Sequence, residues 1–157
     1  MAVIVRPATF NDASTIAEFE EKLILQHQEY DSERFSIKTE RNPMELFYGN
    51  QTKASDSAVL VAEIEGKIVG FAFLQFEAKN FASLLESAAW LHDLYIDETA
   101  RGQNVGKLLL ESAIQSAKDL GATKLMLTAA AKNEIARKFF KNNGFKTTMV
   151  EMMLSLT

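Results

Sequence analysis

Two hydrophobic periods succeed one another along the chain, and their order predicts the architecture. Ala2 to Ala8 (AVIVRPA) is a short β-rich run closed by Pro7. Thr9, followed by Asp12, fits a capping box, and Ile16, Phe19 and Leu23 then recur at helical spacing. A polar stretch from His27 to Lys38 leads to Asn42 and Pro43, which suit the N-cap and first position of a short helix carrying Met44, Leu46 and Phe47. Ser57 to Glu77 reads as a β-hairpin, with VLVAEIE and KIVGFAFLQFE flanking a turn at Gly66-Lys67. Ala78 to Ala89 suits either a loop or a short helix, and Trp90 to Ile96 is the next strand.

Beyond it, Val105, Leu108, Leu109, Ala113, Ala117 and Leu120 mark an amphipathic helix that Gly121 ends. Lys124 to Thr128 is a strand, and Asn133 caps a last helix bearing Ile135, Ala136, Phe139 and Phe140, stopped by Gly144. A β-rich tail, Phe145 to Leu156, completes the order β-α-α-β-β-β-α-β-α-β. That order predicts an α+β or mixed-sheet α/β sandwich with helices on both faces.

Composition narrows the chemistry. At 157 residues, 47% hydrophobic and 24% charged, the chain suits one globular domain. No apolar stretch approaches the roughly 20 residues of a membrane span, and no signal-peptide core opens the chain, so a cytoplasmic protein without a membrane partner is expected. The absence of cysteine removes thiol nucleophiles and disulfides, and two histidines, His27 and His92, are too few for a histidine-rich metal site. A net charge of −4 argues against nucleic acid as a partner and is compatible with a small cationic substrate.

The segment Asp97 to Leu110, DETARGQNVGKLLL, joins a strand to a helix through a glycine-containing bend. A helix N-terminus preceded by such a loop presents unpaired N–H groups and the positive end of the helix dipole to a phosphate. A nucleotide-triphosphate loop needs Gly-x-x-x-x-Gly-Lys-Ser/Thr, but Gly102 and Gly106 enclose only three residues and Leu108 replaces the hydroxyl. The Gly-x-Gly-x-x-Gly dinucleotide spacing is also missing. Arg101-Gly102-Gln103-Asn104-Val105-Gly106 instead resembles the Gln/Arg-x-x-Gly-x-Gly/Ala motif of the GNAT superfamily of acyl-CoA-dependent N-acyltransferases. Asn104 replaces the first glycine of the pair, and asparagine tolerates a left-handed backbone better than most residues.

Three further segments carry the same resemblance in the same order. The hairpin VLVAEIEGKIVGFAFLQ is similar to the family's second and third strands, and AWLHDLYIDE to its fourth. Asn133-x-x-Ala136-x-x-Phe139-Phe140-x-x-x-Gly144-Phe145 resembles the family's Asn-x-x-Ala-x-x-x-Tyr-x-x-x-Gly-Phe tail. The resemblance implies a single N-acetyltransferase domain over residues 1–157, with a mixed, mostly antiparallel sheet of about six to seven strands. It implies acetyl-CoA as cofactor and transfer of an acetyl group to a primary amine of a small molecule or peptide by direct attack. Its departures, Asn104 and Phe140, motivate an alternative, a non-catalytic or weakly catalytic acyl-CoA-binding regulatory module.

By the same resemblance, backbone groups of Leu94, Tyr95 and Ile96 bond the pantetheine arm like an added strand. The loop from Gly102 and Gln103 through Asn104, Val105, Gly106 and Lys107 holds the pyrophosphate, with Arg101 as a further contact. Asn133 and Arg137 meet the cofactor's arm and phosphate, and Phe140 packs in the core or against that arm. In polyamine-type acetyltransferases the fourth strand reads Leu-Glu-Asp-Ile-Tyr-Val; here it is Leu91-His92-Asp93-Leu94-Tyr95-Ile96. His92 and Asp93 are therefore the two candidate bases, with a sheet-bonded histidine and a turn-stabilising aspartate as their plainer readings. The family's tyrosine acid corresponds to Phe140, which has no proton to give, leaving water or Tyr95. Tyr30, Asp31, Tyr48 and Glu77 are substrate-side candidates, each also readable as solvated surface. Met149 to Leu156 suits an internal strand or pairing across a homodimer.

Overall fold

A computed structural model describes residues 2–157. β1 (Val3–Pro7) is followed by α1 (Ala13–Tyr30) and α2 (Arg41–Gln51), then by β2 (Ser57–Ile64), β3 (Lys67–Glu77) and β4 (Ala88–Ile96). α3 (Val105–Asp119), β5 (Leu125–Met126) and α4 (Glu134–Asn142) complete the order. The strands form one sheet in the order β1-β2-β3-β4-β5. The first four are antiparallel neighbours, while β5 runs parallel to β4.

Each face of the sheet has its own core, because alternate residues of a strand point to opposite sides. Ala72 and Leu74 of β3 face α3, whose Val105, Leu109, Leu110, Ala113 and Ala117 are buried against them. Phe71 and Phe73 face the other way, onto Ile16 and Phe19 of α1 and Tyr48 of α2. Helices therefore cover both faces, as the hydrophobic pattern predicts. At the entry to α1, the Asp12 carboxylate accepts the Thr9 N–H at 2.7 Å and pairs with Arg6 at 2.8 Å. The Arg6 guanidinium and the Thr9 hydrogen bond hold that carboxyl below its ordinary range. Among the described residues no helix is long and apolar enough to cross a membrane.

The sheet has five strands, not six to seven. The difference lies in the tail: Phe145 to Leu156 forms no ladder with any strand of its own chain, and a strand exists only through such a ladder. The strand expected over Lys124 to Thr128 pairs only at Leu125 and Met126 for the same reason. Ala78 to Ala89 is mostly loop, closed by an isolated bridge between Asn80 and Leu85. The hairpin turn falls on Glu65-Gly66, not Gly66-Lys67, with both residues at positive φ (51° and 76°), as a two-residue hairpin whose twist matches its strands requires. α2 starts at Arg41 with Glu40 as N-cap, so Pro43 lies in the first turn, where its missing N–H costs nothing.

Leu109 is fully buried at the centre of the α3-side core. Leu109→Ala is expected to destabilise the domain by about 2–5 kcal/mol, read as a lower urea midpoint with unchanged slope.

Candidate functional site

The site begins with an irregularity in β4. Phe73 of β3 pairs with Asp93, but the next residue, Leu74, pairs with Leu91, so His92 is an extra residue in the strand. Such a bulge resets the alternation of side chains. Ala89 and Leu91 face α3 before it, and Leu94 and Ile96 face α3 after it. His92 and Asp93, though adjacent, both turn to the α1–α2 face.

Their environments differ. The His92 ring stacks on Phe73 (5.7 Å between centroids) and near Trp90 (6.4 Å), and its Nε2 meets Glu77 Oε2 at 2.5 Å at an exposed rim. Asp93 points inward and accepts a 2.7 Å hydrogen bond from the Tyr48 hydroxyl. Against the same pair stands Glu20 of α1, whose Oε2 is shielded from solvent and has no hydrogen-bond partner among the described residues.

This grouping of Glu20, Tyr48 and Asp93 sits where charge is expensive. Burial, then the neighbouring Asp93 charge, pushes the Glu20 carboxyl up to about 9. Burial raises Asp93 as well, opposed by the bond from Tyr48. Burial and the two acidic neighbours keep the Tyr48 phenol protonated throughout the ordinary pH range. Two carboxyls this close do not both ionise at neutrality, so the pair retains a proton, and the Tyr48 hydroxyl anchors its Asp93 side. Glu20 and Tyr48 also line a groove of about 610 Å³ between α1 and α2, walled by Ile24, Ile37, Pro43, Met44 and Phe47.

The opposite side of β4 is open. β5 pairs with it only at Ala89 and Trp90, and from Leu91 to Ile96 no strand of the described residues lies alongside on that edge. Asp97 N–H bonds Val69 O on β3 at 2.8 Å, so alternation turns the backbone groups of Leu94 and Ile96 away from β3, toward the gap. The Ile96 carbonyl accepts there from Arg101 Nε at 3.3 Å. The gap leads to the loop before α3, where Gly102 has φ +80° and Asn104, the N-cap, is left-handed at φ 68°, ψ 15°. Amides from Gly102 to Lys107 have no backbone partner among the described residues, and the helical ladder begins with Leu108 N–H to Asn104 O at 3.2 Å. Gly106 lies beside Ile96 and Phe139, where an added Cβ would come within 3.3 Å of the Ile96 side chain. An unpaired strand edge running into a nest of free amides suits an extended molecule with an amide-bearing arm and a phosphorylated end.

The remaining predicted residues divide. Val105 is buried, so only its amide faces the loop, whereas Gln103 and Lys107 are outside the core and Gln103 Nε2 reaches Thr99 O. Asn133 caps α4 by accepting from Ala136 N–H at 3.1 Å, and Arg137 bonds Ala131 O at 3.0 Å. Phe140 packs against Phe139 and Phe145. The Tyr95 ring packs on Phe19, and the charges about its hydroxyl are Lys22, Asp97, Arg101 and Glu98, so it does not join the Glu20–Asp93 group. Tyr30 receives Gln26 Nε2 at 3.0 Å, and Asp31 caps the turn after α1 through the Glu33 and Arg34 amides; neither reaches the group. Glu20 is the residue the sequence reading missed. Its signal was a carboxylate within the apolar stripe Ile16, Phe19, Leu23 and Ile24.

Because Glu20 binds its proton more tightly folded than unfolded, its contribution to stability is present below its ordinary range near 4.5 and fades as pH rises through about 9. Glu20→Gln is expected to leave the melting temperature near pH 4 unchanged and to raise it by about 3 °C or more at pH 8.5. A thermal scan series over that range checks both ends.

The family model for the GNAT acetyltransferases matches residues 20–145. The N-acetyltransferase YhfO of Bacillus subtilis is 28% identical over 143 residues, covering 90% of this chain and 89% of that protein. The chain spans only 41% and 56% of two other N-acetyltransferases it matches, from Methanocaldococcus jannaschii and Bacillus subtilis. Among solved structures, BH1408 of Bacillus halodurans superposes with a TM-score of 0.84 at 24% identity, covering 98% of this chain and 99% of that one. PaiA N-acetyltransferase of Thermoplasma acidophilum, solved in complex with coenzyme A, superposes at 0.78 and 22% identity, covering 96% and 94%. The chain belongs to the GNAT family of acetyltransferases.

Proposed function

We propose that this protein transfers an acetyl group from acetyl-CoA to the primary amine of a small molecule held in the groove between α1 and α2. The observation that carries the reading is the Glu20–Tyr48–Asp93 group at the β4 bulge, between the groove and the open strand edge. Backbone groups of Leu94 and Ile96 would hold the cofactor's arm, whereas those of Tyr95, expected from the resemblance to join them, face β3. Amides from Gly102 to Lys107, with Arg101, Asn133, Arg137 and the Phe140 ring, would hold its distal parts. When bound, acetyl-CoA supplies an acetyl group already activated as a thioester.

The chain's own task is to receive an ammonium and remove its proton. The apolar groove walls suit the carbon body of the amine, and the carboxyl pair suits its charged end. An ordinary carboxylate is a weak base for an ammonium, whose pKa lies near 10.4. Burial keeps a proton on Glu20 at neutrality and raises Asp93 above the ordinary carboxylate range, which narrows the gap to the ammonium. Asp93, whose position the Tyr48 hydroxyl fixes, is the carboxyl placed to accept the amine's proton. His92 then acts at the rim, where with Glu77 it passes the proton to solvent. Phe140 has no proton to give, so α4 supplies no acid. A cysteine-free chain dependent on acetyl-CoA fits the cytoplasm.

Thiol release from acetyl-CoA against a panel of small amines tests the reading. Asp93→Asn is expected to lower kcat by about 100-fold or more with coenzyme A affinity unchanged, and His92→Ala by about tenfold. Coenzyme A binding without turnover on any amine would leave only the regulatory alternative.

At the loop, Asn104→Gly is expected to keep coenzyme A affinity within about threefold, because glycine reaches the same left-handed backbone without strain. Asn104→Val, which is β-branched, should weaken it by about tenfold or more, and calorimetric titration with coenzyme A distinguishes the two.

A further inference from the structure

Glu20, Lys38 and Glu40 line one groove between α1 and α2, at different depths. Glu20 lies at the floor, its Oε2 shielded from solvent, beside the buried Tyr48. Lys38 and Glu40 are exposed and stand at the mouth. Between floor and mouth the lining is apolar, from Ile24 on α1 to Met44 and Phe47 on α2. A molecule lying along the groove meets carboxyl groups, then hydrocarbon, then a cation and an anion two residues apart in sequence.

The charges at the mouth are uncommitted. Their neighbours Arg41 and Glu21 neutralise each other in an ion pair. Neither Lys38 nor Glu40 joins an ion pair among the described residues. Glu40 is the N-cap of α2, yet its side chain makes no capping bond. The segment that bears both is tied to α1, where Gln28 Nε2 donates to the Ile37 carbonyl at 2.9 Å. The mouth therefore holds a set position relative to the floor. From Glu40 to Tyr48, which bonds Asp93, α2 rises about 12 Å. About four or five methylenes, with a hydrogen bond of about 3 Å at each end, span that distance.

We propose that the acceptor is a free diamino carboxylic acid of lysine-like length, acetylated on its terminal amine. The terminal ammonium reaches the Glu20–Asp93 floor and the methylenes lie on the apolar walls. Lys38 takes the α-carboxylate and Glu40 the α-ammonium. Each simpler amine leaves part of the mouth unmatched: an alkylamine both charges, a diamine Lys38, an ω-amino acid Glu40. A lysine inside a peptide carries neither α-charge, so the free acid is selected over a protein side chain. In the transfer the terminal nitrogen gains its bond to the acetyl carbon as the thioester C–S bond breaks. The ammonium gives one proton to Asp93 and a second that ends on the departing sulfur. The reaction rests on the acetyl-transfer reading, while the selectivity rests on the groove alone.

Pentylamine, 1,5-diaminopentane, 6-aminohexanoate and lysine share one chain and differ only at the end that meets the mouth. Each is titrated calorimetrically into the protein with coenzyme A present, and assayed for thiol release from acetyl-CoA. Lysine is expected to bind about tenfold or more tighter than the other three, and NMR of its product to place the acetyl group on the terminal nitrogen. Lys38→Met is expected to cut the preference for lysine over 1,5-diaminopentane by about tenfold, and Glu40→Gln the preference over 6-aminohexanoate by as much. Both side chains are exposed, so neither change disturbs packing. Lysine bound no tighter than pentylamine, preferences that neither variant moves, or acetyl on the α-nitrogen would overturn the proposal. The expected ranking in binding without turnover of any amine would sink the acetyl-transfer reading and support the mouth's selectivity. Equal binding and turnover of pentylamine and lysine would do the reverse.

Discussion

The structure depends on the unequal pairing of β4. Along one side it is laddered to β3 through nearly its whole length; along the other β5 leaves it after Trp90. The first side makes β4 rigid enough to carry a bulge at a defined residue, and the second leaves its backbone groups free to bond something other than protein. Without the bulge at His92, strict alternation would put His92 and Asp93 on opposite faces. The carboxyl would then fall in the apolar layer under α3. With the bulge, the strand presents two successive polar side chains to one face while its free edge faces the gap.

The carboxyl pair is where stability and function oppose each other. Glu20 occupies a position on α1 where an apolar residue would extend the core with Ile16, Phe19 and Ile24. An isolated carboxylate there would cost several kcal/mol in lost hydration, so the group keeps its proton instead. Tyr48, on another element, is committed to Asp93 and leaves the second carboxyl underbonded. An entering cation meets carboxyl oxygens that have few internal partners to displace. The same burial that raises Glu20 makes the pair a stronger base than exposed carboxylates.

Much of this was legible in the sequence, for reasons that differ by residue. The amphipathic period of α3 and the hairpin strands follow from local hydrophobic spacing, and Asn104 was readable because few residues other than glycine accept a left-handed backbone. The side chains on which the acceptor end rests were harder. Glu20, Tyr48 and Asp93 come from three elements separated by dozens of residues, and no spacing rule joins them. Tyr48 was placed on the substrate side without its partner, while Asp31 looked similar and proved to cap a turn. The bulge could not be read from LHDLYI, since it arises from register with β3. The tail shows the complementary limit: its alternation is that of a strand, yet among the described residues it forms no ladder.

The two ends of the site therefore differ in kind. The proposed phosphate end is built from backbone amides and the dipole of α3, so it asks of the sequence only the conformations that Gly102 and Asn104 adopt. The acceptor end is built from side chains supplied by α1, α2 and β4, and its character changes with a single substitution on any of them. A motif reader finds the first end and learns the cofactor. Only the packing of α1 and α2 over the bulge reveals the second, and with it the ground on which we propose an amine, rather than another nucleophile, as the acceptor. A hydroxyl brings no charge to offset that of the carboxyl pair, whereas an ammonium brings both the charge and the proton that the pair is poised to take.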